Sequence, residues 1–159
     1  MNIKKKDCFP EVNFFVIDDS GPTSIKSSEL FNEKRIILVS VPGAFTPTCS
    51  ENHLPGYIKL KKEFFAKGID KIFFVSVNDP FVMTEWAKKY EENDINFIAD
   101  SNGELLQKIN ATIDLTSIGL GKRLSRFAML INNGLVEEIF DEEGGGLEKS
   151  KAEMVINSI

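Results

Sequence analysis

Cysteine and histidine are scarce in this chain of 159 residues: it holds two cysteines, Cys8 and Cys49, and one histidine, His53. Two thiols do not make a disulfide framework, so a reducing compartment, by default the cytoplasm, is the expected setting. With Cys8 remote from the other two, the soft ligands are too few for a closed zinc site, and no metal is expected. Long apolar runs are also missing. None approaches the ~20 residues a membrane span needs, and the polar N-terminus lacks the core of a signal peptide. Positive charge is in deficit, with 19 Lys and Arg against 24 Asp and Glu, a net −5. That balance argues against a nucleic-acid partner, which requires a concentrated basic patch. The nearest thing to one, Lys4-Lys5-Lys6, reads as a solvated flank. No internal repeat and no dividing linker is present, so residues 1–159 are read as a single domain.

What the chain does have is an alternation of apolar runs and amphipathic stretches. Residues 11–17 (EVNFFVI) read as a strand, stopped by the turn-forming Asp18-Asp19-Ser20-Gly21-Pro22. Residues 27–31 fit one helical turn. Residues 35–41 (RIILVSV) and 71–77 (KIFFVSV) are nearly continuous apolar runs of strand length, as expected for central strands covered on both faces. Between them, residues 57–68 carry the apolar spacing of a helix packed on one side, with Gly68 as its left-handed stop. Asp79 and Pro80 open another helix as N-cap and first helical residue. Residues 96–99 form a short strand, and a further helix starts over residues 104–109. Residues 114–124 (DLTSIGLGKRL) show no clean period and are expected to be an ordered loop. Residues 126–131 and 135–140 flank Asn133-Gly134, a hairpin signal. After Gly144-Gly145-Gly146 a last helix is expected over residues 147–159. The order predicts an α/β layer fold with a largely parallel sheet, closed by an antiparallel hairpin.

The chemistry concentrates in residues 41–56, VPGAFTPTCSENHLPG, where a strand hands over to a helix N-terminus. Cys49 lies at that junction and is the candidate nucleophile. A free thiol of pKa ~8.5 is only about 3% ionised at neutral pH. A helix N-terminus contributes ~0.3–1 kcal/mol toward the thiolate, so a further cation is required, and an arginine would serve. The alternative is a buried cysteine used as a small apolar residue. His53, four residues on, would share a helical face with Cys49, a spacing that permits a Cys–His pair for acyl transfer. The plainer reading is a histidine packed locally beside Pro55.

Pro42-Gly43-Ala44-Phe45-Thr46-Pro47-Thr48-Cys49 fits the PxxxTxxC motif of the peroxiredoxins, and the longer string through His53-Leu54-Pro55-Gly56 is similar to their type-5 subfamily. Val75-Ser76-Val77-Asn78-Asp79, Ala99-Asp100, Asp114-Leu115, Gly119-Leu120-Gly121 and Arg126-Phe127-Ala128-Met129 resemble that subfamily in the same order. The likeness extends from about residue 10 to residue 147. It implies a thioredoxin-like α/β fold, a mixed sheet flanked by helices, and a peroxidase that needs no cofactor beyond its own thiol. By that resemblance Cys49 attacks the peroxide and becomes a sulfenic acid. Thr46 would hydrogen-bond the thiolate and the peroxide, Arg126 would stabilise the sulfur and the departing oxygen, and Pro42 would shield the thiolate. The N–H groups of Thr48 and Cys49 would hold the second peroxide oxygen, with Leu115 and Ile118 as an apolar rim. Arg123 is the competing arginine, read as a solvated loop charge.

The chain departs from the type-5 pattern at one place. Where many members carry a resolving cysteine it reads Leu147-Glu148-Lys149-Ser150, and no cysteine follows Cys49. The resemblance therefore implies a one-cysteine enzyme recycled by an external thiol, glutathione with glutaredoxin or thioredoxin, and a homodimer. Two rivals are a cysteine hydrolase using Cys49 and His53, and a non-catalytic thioredoxin-like binding module. The hydrolase leaves Pro42, Thr46 and Arg126 without a role, and the binding module has no need of the full set.

Overall fold

Strands β3 (Arg35–Ser40) and β4 (Lys71–Ser76) bury every residue after their first, as near-continuous apolar sequence requires. They pair in parallel, and β4 pairs in parallel with β5 (Ile95–Ala99). In the computed structural model, which describes residues 1–159, the sheet has seven strands in the order β2-β1-β5-β4-β3-β8-β9. The outer strands are antiparallel: β1 (Asn13–Asp18) beside β5 and β2 (Gly21–Lys26), and β8 (Phe127–Asn132) between β3 and β9 (Leu135–Asp141). Parallel pairing is thus confined to the three central strands, fewer than the alternation of elements suggested.

Successive strand residues point to opposite faces, which divides the core in two. On one face Ile37, Val39, Phe74 and Leu130 pack with Tyr57, Phe64, Trp86 and Val155. These come from helices α2 (Leu54–Ala66), α3 (Pro80–Lys89) and α5 (Ala152–Asn157). On the other face Ile36, Leu38, Phe73 and Met129 meet Phe31 of α1 (Ser27–Phe31) and Leu105 of α4 (Glu104–Lys108). Phe74 is the aromatic centre of the first face, with ring centroids of Tyr57, His53, Trp86 and Phe97 all within 6 Å.

Several local expectations hold. Asp79 caps α3 by accepting the Val82 N–H at 3.0 Å, Pro80 is the first helical residue, and Gly68 takes φ +83° after α2. Asn133 and Gly134 both have positive φ, the geometry of a two-residue hairpin turn. Three expectations fail. Residues 21–22 do not end in a turn but begin β2, an edge strand that pairs with β1 along its whole length. Residues 114–124 are not a loop. They contain the end of β6 (Thr112–Leu115), a 3₁₀ turn (Thr116–Ile118) and β7 (Gly121–Leu124), which form a separate two-stranded hairpin. The last helix is only α5, because residues 143–150 are tied back to Glu142 and Arg126.

Candidate active site

The chain leaves β3 at its C-terminal end and turns sharply before α2. Gly43 is needed in this turn, since a Cβ there would stand 3.1 Å from Thr46 Cγ2 and 3.3 Å from Arg123 Nη1. Phe45 takes the left-handed region at φ +63°, and Asn78 Oδ1 pins the turn by accepting the Ala44 N–H at 2.9 Å. The helix then opens with a wide π turn, Cys49–His53, in which the Leu54 N–H reaches back to the Cys49 carbonyl. Such turns interrupt α-helices mostly at functional positions. The first hydrogen bond of this helix runs from the Ser50 N–H to the Thr46 carbonyl, so the N–H groups of Thr48 and Cys49 have no acceptor in the chain.

Cys49 is 1% exposed and Arg126, at the entry to β8, is 2% exposed. Arg126 Nη2 donates to Cys49 Sγ at 3.3 Å. Its Nη1 donates to His53 Nδ1 at 2.9 Å, and its Nε donates to the Gly145 carbonyl at 3.3 Å. A guanidinium only donates, so His53 must accept at Nδ1 and carry its proton on Nε2. That proton goes to the Ser150 carbonyl at 3.0 Å, which also accepts from Tyr57 Oη at 2.9 Å. Burial, and then the charge of Arg126, lower the His53 pKa to about 3, so the ring is neutral at pH 7.

A cavity of about 390 Å³ opens beside Arg126, the residue that contacts the sulfur. Pro42, Thr46, Thr48, Leu115, Ile118 and Arg126 all line it, with Pro47, Ile113, Leu120 and Gly145. The fold therefore gathers the motif-derived set at one place, from three separated segments, with Cys49 buried against Arg126. Ile118 is 68% exposed, at the mouth. What the arrangement offers is a buried sulfur beside a fixed cation, two free N–H donors at a helix start, and an apolar vestibule. That combination suits attack by a thiolate on a small neutral molecule whose departing atom gains negative charge.

Three readings are corrected by the geometry. The Thr46 hydroxyl donates to the Gly43 carbonyl at 2.7 Å, not to the sulfur, so its remaining capacity toward a ligand is as an acceptor unless it rotates. Arg123 is no solvated loop charge: it donates to the Leu120 carbonyl at 2.7 Å and to the Pro42 carbonyl at 3.3 Å, fastening the proline loop to β7. His53 does more than pack locally. It holds Arg126, and since both its nitrogens are engaged by Arg126 and Ser150, the Cys49–His53 pair of a hydrolase is not formed. Asn78, Glu142 and Ser150 also support the site: Asn78 lies within the 75–79 stretch that carried the resemblance, though without a role assigned to it, whereas no signal marked Glu142 or Ser150.

Residues 4–156 match the family model named Redoxin. The chain is 42% identical over 149 residues to Peroxiredoxin-2D of Arabidopsis thaliana, covering 93% of this chain and 91% of that one. It is similar to reduced Prx3 in complex with hydrogen peroxide from Vibrio vulnificus, with TM-score 0.94, 37% identity and 98% of each chain covered. It is likewise similar to the Plasmodium falciparum antioxidant protein, a 1-Cys peroxiredoxin, with TM-score 0.88, 30% identity and 96% of each chain covered.

Proposed function

The chain belongs to the peroxiredoxin family and is a thiol-dependent peroxidase; from that premise we propose that Cys49 is the peroxidatic thiol of a one-cysteine, type-5 enzyme. The observation that carries the reading is the 3.3 Å contact of Arg126 Nη2 with Cys49 Sγ beside the unpaired N–H groups of Thr48 and Cys49.

In the first step the Cys49 thiolate attacks one oxygen of ROOH. The S–O bond forms as the O–O bond breaks, and RO⁻ leaves, taking a proton to become ROH or, from hydrogen peroxide, water. The sulfur is oxidised to a sulfenic acid and the peroxide is reduced. Arg126 and the two N–H groups face the developing charge, an arrangement that lowers the barrier without reorganisation. Thr46 orients the peroxide through the hydroxyl oxygen, and Pro42, Leu115 and Ile118 keep bulk water from the sulfur.

In the second step a thiol R′SH condenses with the sulfenic acid to give a mixed disulfide and water. A second thiolate then attacks that disulfide, releasing R′SSR′ and restoring Cys49. Glutathione with glutaredoxin, or thioredoxin, fits this role, since Cys8 is placed far from the site. Cys8 bridges to Leu135 at the far end of the β8–β9 hairpin, beside Arg35 at the start of β3, whereas Cys49 follows the end of β3. The five residue steps of β3 amount to ~17 Å, against the ~7 Å a disulfide tolerates between Cα atoms.

Phe45 in the turn before Cys49, Phe81 in the first turn of α3 and Ile118 on the cavity lining are all exposed. They support a homodimer formed through residues 78–81 and 116–120. Two free cysteines fit the same reading in a reducing compartment such as the cytoplasm. The test is consumption of hydrogen peroxide or cumene hydroperoxide with dithiothreitol as reductant. Turnover that requires Cys49 is the expected result, and ester hydrolysis without peroxide loss would overturn the reading.

A further inference from the structure

The loop of residues 143–150 has no helix or strand of its own and contains three consecutive glycines, which hold no backbone geometry by themselves. One oxygen closes it. Glu142 Oε1 accepts the Glu148 N–H at 2.9 Å, the Ser150 N–H at 2.6 Å and the Ser150 hydroxyl at 2.8 Å. Burial works against its charge, but these donors outweigh it and lower the carboxyl's pKa.

The clasped loop touches the reacting centre at both ends. Near its start, the Gly144 carbonyl accepts the Arg126 N–H at 3.0 Å and the Gly145 carbonyl accepts Arg126 Nε at 3.3 Å, while Gly145 lines the cavity. At its end, the fully buried Ser150 offers its carbonyl to His53 Nε2, and His53 in turn receives Arg126 Nη1. The guanidinium that contacts Cys49 Sγ is therefore held on two of its nitrogens by this loop, once directly and once through His53.

We propose that Glu142 is a positioning residue for the peroxidase reaction: its carboxylate clasps the 143–150 loop, and the clasped loop sets where Arg126 stands against the Cys49 sulfur. The inference rests on Cys49 being the peroxidatic thiol. It also explains why this loop is ordered without a cysteine in it. Lys149 pairs with Glu143, within the loop itself.

The test compares Glu142→Ala with Glu142→Gln in the full chain, reading the pH midpoint of Cys49 alkylation and the second-order rate with hydrogen peroxide. The glutamine oxygen can stand where Oε1 stands and accept the same three hydrogen bonds without charge. The expected result is a higher alkylation midpoint and at least a tenfold slower peroxide reaction in Glu142→Ala, with Glu142→Gln within threefold of the native protein. A folded Glu142→Ala variant with native midpoint and rate would overturn the proposal, as would equal loss in the alanine and glutamine variants. Should the alanine variant not fold, Glu142→Asp decides: it retracts the carboxylate by one methylene, so a raised midpoint supports the clasp and a native one refutes it. Alkylation needs no peroxide, so an enzyme that failed to consume peroxide would sink the functional reading while still testing the clasp.

Discussion

Arg126 donates to His53, Nη1 to Nδ1 at 2.9 Å, and this contact commits the histidine to its neutral form. Protonating Nδ1 would place two N–H groups and two positive charges against each other in a buried site. The single histidine of the chain is thus an acceptor that steadies Arg126.

That commitment has a pH consequence. The His53 pKa is about 3 in the folded chain against 6.5 for the ordinary group. Between those values the unfolded chain binds one more proton than the folded one, so stability rises with pH there and is lost on acidification below about pH 6.5, at ~1.4 kcal/mol per unit at most. Urea midpoints from pH 7 to pH 4 are expected to fall more steeply in the native protein than in His53→Gln, whose amide can accept from Arg126 and donate to Ser150. Parallel pH curves for the two proteins would show that His53 is not the titrating group.

Cys49→Ser is expected to abolish peroxide consumption, because a hydroxyl is a far poorer nucleophile at neutral pH. Its fold should persist, as the change is nearly isosteric at a buried position. Near-native turnover in this variant would remove Cys49 from the reaction.

Arg126→Ala and Thr46→Val are each expected to slow the second-order reaction with peroxide at least tenfold, about 1.4 kcal/mol of transition-state stabilisation. They differ in a second readout. Arg126→Ala takes the cation from 3.3 Å beside the sulfur and raises the pH midpoint of Cys49 alkylation. An unchanged midpoint would mean that Arg126 acts on the departing oxygen alone.

Cys8→Ser is expected to leave turnover with glutathione and glutaredoxin nearly unchanged. After one equivalent of peroxide and then glutathione, intact mass and peptide mapping should place a single glutathione on Cys49. A Cys8–Cys49 disulfide formed at the catalytic rate, with loss of turnover in Cys8→Ser, would reverse the assignment of an external reductant.

The proposed dimerisation through residues 78–81 and 116–120 is tested by light scattering of the reduced and oxidised protein at micromolar concentration. Phe81 and Ile118 are 58% and 68% exposed, so Phe81→Glu or Ile118→Glu should leave the fold intact and shift mass toward the monomer. A monomer in both redox states of the native protein would count against the interface.

The sequence by itself determined what contiguous residues can encode. Continuous apolar runs made residues 35–40 and 71–76 central strands, Asp79-Pro80 started α3, and Asn133-Gly134 turned the β8–β9 hairpin, because side-chain period, capping and φ preference act within a few residues. The motif likewise marked Pro42, Thr46, Cys49 and Arg126, and the fold brings them together. Tertiary structure decided the rest. Strand β2 is a polar edge strand with no apolar run, and it exists because its backbone groups pair with β1. The β6–β7 hairpin is short and half-exposed, so its pattern is too weak to register in sequence. The role of His53 depends on an arginine 73 residues away, Arg123 depends on a carbonyl 81 residues back, and the last helix is shortened by a loop that Glu142 folds onto itself. Local preference cannot encode such partners, since each hydrogen bond is decided by which strand ends and loops the packed sheet places side by side.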